Sequence, residues 1–162
     1  MDGMGGANVI KLEPRDRAAM GSWQEDCVGS VYNNLSPGCR ICRQGAGLVL
    51  FVTGRCGRSC FYCPLSQERR GWDLVFADEM RVKKISDILE EARAIDALGT
   101  GITGGEPLAR LDYVLECIRA LKAALGEKHH IHLYTGILPA RETMQRLRQA
   151  GLDEIRFHPP LE

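Results

Sequence analysis

The sequence predicts an α/β fold: a partial (β/α) barrel with about four parallel strands. Two observations carry this. From residue 48 onward, short apolar strand patterns alternate with amphipathic helix patterns, the order of parallel βαβ units with right-handed crossovers. The last two strand patterns are each apolar on one side and polar on the other. Strands covered by helices on both faces are apolar throughout, so a polar side suits a barrel wall around a polar lumen, or else the open edge of a flat sheet.

Taken in order, residues 1–22 are Gly-rich without a period and read as a poorly ordered lead-in. Residues 23–47 form an N-terminal extension with three cysteines; its "YNNLSPGCRICRQGAG" is turn chemistry rather than helix. The core spans 48–162. "LVLFVT" (Leu48 to Thr53) reads as a buried strand, and Ile85, Ile88, Leu89, Ala92, Ile95 and Leu98 fall at helical spacing up to Gly99. "GIT" (Gly101 to Thr103) is the second strand. Leu111, Val114, Leu115, Ile118, Leu121 and Leu125 mark a second helix that Gly126 stops. "HIHLYT" (His130 to Thr135) is the third strand, in which Ile131 and Leu133 alternate with His130, His132 and Tyr134. Pro139 opens a third helix running to Gly151, and "EIRFH" (Glu154 to His158) is the fourth strand.

Lys plus Arg and Asp plus Glu each number 21, so no whole-chain basic field draws in nucleic acid or an anionic membrane. No signal peptide pattern and no bilayer-spanning run is present, which implies a cytoplasmic chain without a membrane partner. Six of the seven cysteines lie between Cys27 and Cys63. A reducing compartment makes disulfides unsuitable, so the clustering points to metal or redox chemistry.

Cys56, Cys60 and Cys63 stand in "TGRCGRSCFYCPL", directly after the first strand and so at the carboxyl end where barrel active sites gather. Soft thiolates hold iron–sulfur clusters or zinc. Three thiolates on a 4Fe–4S cube leave one iron open to a substrate or cofactor. A four-thiolate zinc ribbon from Cys39, Cys42, Cys56 and Cys60 is the alternative.

The Cys-x3-Cys-x2-Cys pattern has an aromatic residue before its last cysteine. "GITGGEPL", with Gly104-Gly105-Glu106-Pro107, then follows the second strand. Together these resemble the radical S-adenosylmethionine (radical SAM) superfamily over roughly residues 46–160. The run "LVLFVTGRCGRSCFYCPL" is similar to archaeal-type proteins related to pyruvate formate-lyase activating enzyme. The resemblance implies a 4Fe–4S cluster on Cys56, Cys60 and Cys63, with S-adenosyl-L-methionine (SAM) chelating the open iron. It implies SAM contacts from Tyr62, Gly104, Gly105, Glu106 and Pro107; Thr135, at the carboxyl end of the third strand, is a further candidate to contact SAM. It implies reductive cleavage to a 5′-deoxyadenosyl radical that abstracts hydrogen from an unidentified substrate, a protein or small molecule in preference to RNA. It also implies an electron donor such as a flavodoxin or ferredoxin. A non-catalytic iron–sulfur or zinc module is the competing function.

Other residues carry weaker expectations. Arg156 and His158, at a strand's carboxyl end, are candidates to contact SAM or substrate. Cys39 and Cys42, with Cys27, are a possible second metal site. His129 reads as a solvated loop residue, Cys117 as a core thiol, and Arg69 and Arg70 as surface charge, while Trp23 and Trp72 have no placement. The resemblance implies six βα units where four strands are legible, so the barrel is expected to be incomplete. Roughly sixty further residues would supply two more units.

Overall fold

The computed structural model describes residues 24–25, 31–32 and 35–159. Residues 1–22, Trp23 and Cys27 lie outside the described residues. Clustering of contacts divides the chain into Met1–Leu35 and Ser36–Glu162. In the first unit, β1 (Gln24–Glu25) pairs antiparallel with β2 (Val31–Tyr32).

The second unit opens with α1 (Pro37–Arg43), where turn chemistry alone was expected. Pro37 sits in the first helical turn, and the hydroxyl of the N-cap Ser36 accepts from the Cys39 amide at 3.4 Å. Then follow β3 (Gly47–Phe51), β4 (Phe76–Ala77), β5 (Met80–Arg81), α2 (Ile85–Ala94) and β6 (Gly99–Thr103). A 3₁₀ turn (Pro107–Arg110) leads into α3 (Leu111–Leu125), β7 (His130–Thr135), α4 (Arg141–Ala150) and β8 (Glu154–Phe157).

The sheet order is β5-β4-β3-β6-β7-β8. The neighbours β3, β6, β7 and β8 are parallel, as expected, and the sheet is not closed. The hairpin β4–β5 adds two antiparallel strands beside β3. Sequence reading missed it because each strand has two residues and its turn uses Asp78, at φ 51°, in place of glycine.

Two helix boundaries differ from expectation. α2 ends at Ala94, because Asp96 turns the chain at φ 50° and the Leu98 amide already donates to the Ala46 carbonyl (2.8 Å); Gly99 begins a strand. α4 begins at Arg141, with Pro139 ahead of its N-cap Ala140. Gly126 and Gly151 close α3 and α4 at φ 88° and 106°, as read.

One face of the sheet carries the core. Leu50, Ile102, Leu133 and Ile155 lie in one register row. They pack with Ile88 and Ala92 of α2, Val114, Leu115 and Ile118 of α3, and Leu147 of α4. Cys117 belongs to this core, and burial pushes its thiol up to about 12.

The opposite face holds the polar residues of the alternation. His132 and Glu154 share a register row, as do Tyr134 and Arg156. α1 lies against this face at Gly38. A Cβ there would stand 2.6 Å from Arg156 Nη2, 2.8 Å from His132 Nδ1 and 3.0 Å from His130 Nε2. Burial, with the Arg156 guanidinium as a lesser cause, brings the His132 imidazole down to about 4, so the ring is neutral at neutral pH.

His129 is not a solvated loop residue. It is 4% exposed, and its Nε2 lies 2.8 Å from the Thr100 hydroxyl. Arg69 is more than surface charge: its guanidinium lies over the Phe76 ring at 4.3 Å and pairs with Glu79 at 2.7 Å.

Candidate functional site

A cleft of about 530 Å³ opens at the carboxyl ends of β3, β6 and β7. The ladder between β3 and β6 continues past both strands and welds two loops together. Val52 donates to the Thr103 carbonyl at 2.9 Å, Gly105 to Thr53 at 2.7 Å, and Glu106 to Arg55 at 2.8 Å. The Gly-Gly-Glu turn is thereby bonded to the chain leading into Cys56.

This contact explains the glycines. A Cβ on Gly104 would stand 2.4 Å from the Thr53 carbonyl oxygen, and one on Gly105 2.4 Å from that of Arg55. Gly104 also holds φ 147°, where a side chain is strained. The approach is of backbone on backbone between two loops.

The far end of the cysteine loop returns to the same place. The Gly54 amide donates to the Trp72 carbonyl, and the Gly71 amide to Gly54, both at 2.8 Å. Asp73 braces this closure, accepting from the Thr53 hydroxyl at 3.0 Å and pairing with Arg110 at 3.2 Å. Arg110 in turn donates to the Val52 carbonyl at 3.1 Å and stacks on Tyr113 at 4.4 Å. Neither Asp73 nor Arg110 carried any motif, so sequence reading passed over both.

Glu106 is buried, at 3% exposed. Its Oε1 accepts from the Leu108 amide (3.0 Å) and the Thr135 hydroxyl (2.9 Å), and its Oε2 from the Gly136 amide (2.9 Å). The carboxylate therefore caps the 3₁₀ turn and ties the β6 loop to the end of β7. Thr135 serves as the other half of this tie.

Cys56, Cys60 and Cys63 all line the cleft, together with Tyr62, Gly104, Gly105, Glu106, Pro107, Thr135 and His158. Cys56 is exposed, Cys60 and Cys63 are half-buried, and the Cys63 amide donates to the Cys60 carbonyl at 3.1 Å. Among the described residues, no three His, Cys, Asp or Glu side chains converge on one metal-sized point, either here or around Cys39 and Cys42. The donor chemistry still fits an iron–sulfur cluster: three soft thiols on one loop line a cleft that the Gly-Gly-Glu-Pro turn also lines.

Several expected residues lie elsewhere. Arg156 is not on the cleft. It turns toward α1, where it donates to Glu154 (2.7 Å), Ser36 (3.2 Å) and Tyr134 and lies 3.4 Å from Cys39 Sγ. Cys39 and Cys42 are likewise on α1, away from the cleft, so the zinc ribbon with Cys56 and Cys60 is not assembled. Sequence reading missed Tyr134, Arg58, Arg70 and Gly136 as wall residues. Tyr134 had a signal, its place on the polar side of β7; the others had none.

Comparison with known proteins agrees with this geometry. A Methanocaldococcus jannaschii protein provisionally named a glycyl-radical enzyme activating enzyme is 40% identical over 79% of this chain and 34% of its own length. A PqqA peptide cyclase of Granulibacter bethesdensis is 33% identical over 68% of this chain and 28% of its own. A GTP 3′,8-cyclase of Mycobacterium tuberculosis is 34% identical over 74% of this chain and 34% of its own. The chain thus spans about a third of the length of the curated relatives it matches. No solved structure matches it. Residues 50–159, the sheet and cleft just described, match the radical SAM superfamily, and the chain belongs to that family.

Proposed function

We propose that this chain forms the cluster- and SAM-binding part of a radical SAM enzyme. One observation carries the reading: the cysteine loop and the Gly-Gly-Glu-Pro turn, joined by backbone hydrogen bonds, line a single cleft. Cys56, Cys60 and Cys63 hold a 4Fe–4S cluster through their thiolates. Gly104, Gly105 and Glu106 border the methionyl end of SAM, Pro107 shapes the turn, and Tyr62 meets the adenine. Thr135 holds Glu106 in place and borders the ribose side. When bound, cluster and SAM supply reductive cleavage to a 5′-deoxyadenosyl radical, which abstracts hydrogen from the substrate.

The substrate is a polypeptide in this reading, supported by relatives named as a glycyl-radical enzyme activating enzyme and a peptide cyclase. The test is anaerobic reconstitution with iron and sulfide, then reduction with SAM present. Formation of 5′-deoxyadenosine is expected; a colourless, zinc-loaded chain that forms none points to the non-catalytic module.

A further inference from the structure

Asp73 and Arg110 do not line the cleft, yet both are bonded to its frame. Arg110 ends the 3₁₀ turn that follows the Gly-Gly-Glu-Pro motif. Its Nη1 donates to the Val52 carbonyl at 3.1 Å and stands 3.2 Å from Asp73 Oδ1. The same carboxylate oxygen accepts from the Thr53 hydroxyl at 3.0 Å. Thr53 is fully buried, and its carbonyl accepts from the Gly105 amide at 2.7 Å. These contacts close a ring. It runs from Gly105 along the chain to Arg110, across to Asp73, on to Thr53 and back to Gly105.

The ring joins the two loops that the functional reading assigns to cluster and SAM. Thr53 opens the cysteine loop and Asp73 follows its return, while Gly105 and Arg110 belong to the motif turn and its continuation. Two adjacent glycines give that turn extra backbone freedom, so its position depends on what holds it from outside. Asp73 and Arg110 side chains are 34% and 28% exposed, enough burial for the pair to outweigh an open surface contact. The Tyr113 ring backs the guanidinium at 4.4 Å. Arg55 is the other cation near Asp73, but at 3.9 Å and 65% exposed it adds little.

We propose that Asp73 and Arg110 are positioning residues for SAM binding, an inference that rests on the radical SAM reading. They touch neither cluster nor SAM. They hold the Gly-Gly-Glu-Pro turn against the cysteine loop, so that both loops meet SAM together. Losing the pair therefore weakens SAM binding and leaves iron in place, because the three thiols lie on the cysteine loop alone.

The test compares wild type, Asp73→Ala, Arg110→Met and Arg110→Lys, each reconstituted anaerobically and each also iron-free. Iron per chain and SAM affinity by calorimetry are read on the reconstituted protein. Hydrogen exchange at the Gly105 and Glu106 amides is read on the iron-free chain. In Asp73→Ala and Arg110→Met, SAM affinity should fall about tenfold, as for loss of one charge-assisted contact, with iron retained. The Gly105 and Glu106 amides should exchange about tenfold faster, while those of Ile118 and Leu121 in α3 keep wild-type protection. Arg110→Lys keeps the cation and loses the planar stack on Tyr113, so it should fall between. Wild-type SAM affinity in both Asp73→Ala and Arg110→Met overturns the proposal. So does an equal rise in exchange at Ile118 and Leu121, which marks general destabilisation, or a loss of iron in step with SAM affinity. A wild type that takes up iron and binds no SAM contradicts the functional reading instead, and exchange at Gly105 and Glu106 then decides whether the ring holds the turn.

Discussion

Glu106 shows how one side chain can shape a cleft through neutral hydrogen-bond donors. Its two oxygens take three donors from two different loops. Glu106→Ala leaves those buried donors unsatisfied, at about 1–3 kcal/mol for each group not rescued by water. A lower urea midpoint and weaker SAM binding are expected, with iron retained, because the thiols are untouched; loss of iron as well would tie the carboxylate to the cluster loop itself. Cys56→Ala, Cys60→Ala and Cys63→Ala should each lose most bound iron, since a three-ligand site has no spare ligand. Iron per chain after reconstitution checks this.

His132 gives the residue scale a pH signature. The ring's ordinary value is 6.5 and burial lowers it to about 4, so between these values the unfolded chain carries the extra proton. Stability is full above pH 6.5 and falls as acid is added, by about 2 kcal/mol at pH 5. His129, also lowered by burial, adds to the same slope. His132→Gln should flatten the dependence of the urea midpoint between pH 7 and 5; an unaltered slope would place its origin elsewhere.

At the scale of elements, the seam between α1 and the sheet depends on Gly38. A larger residue there meets Arg156 and two histidines at 3.0 Å or less. Gly38→Val should therefore displace the helix and cost about 1–3 kcal/mol, as overpacking does. A midpoint equal to wild type would show that α1 is not seated as described. Of the elements that sequence reading recovered, β7, β8 and the three long helices carry a period, with Ile131 and Leu133 inward and Ile118 and Leu121 one turn apart, while β3 and β6 were legible as short strand-like runs. α1 has seven residues and meets the sheet through a glycine, so it leaves no apolar stripe to read. The cysteine loop and the Gly-Gly-Glu-Pro turn were legible because chemistry restricts their residue types. Asp73, Arg110 and the return at Gly71 were not, because tertiary hydrogen bonds alone bring them to the cleft.

For the whole molecule, two features set its behaviour. Among the described residues no helix is long and apolar enough to cross a membrane. Among the described residues β8 is paired on one side only, and Phe157 on it is 44% exposed. An unpaired edge invites association, so the isolated chain is expected to self-associate, and Phe157→Lys should reduce this in light scattering. The central claim is that three thiolates hold a cluster in the cleft bounded by Gly104, Gly105 and Glu106. Its most direct test is a single-turnover assay of the anaerobically reconstituted, reduced chain with SAM, read as 5′-deoxyadenosine formed per cluster, beside Cys60→Ala. The account predicts deoxyadenosine from the wild type and none from the variant. Equal yields from both, or a wild type that takes up iron and forms no deoxyadenosine, would contradict it.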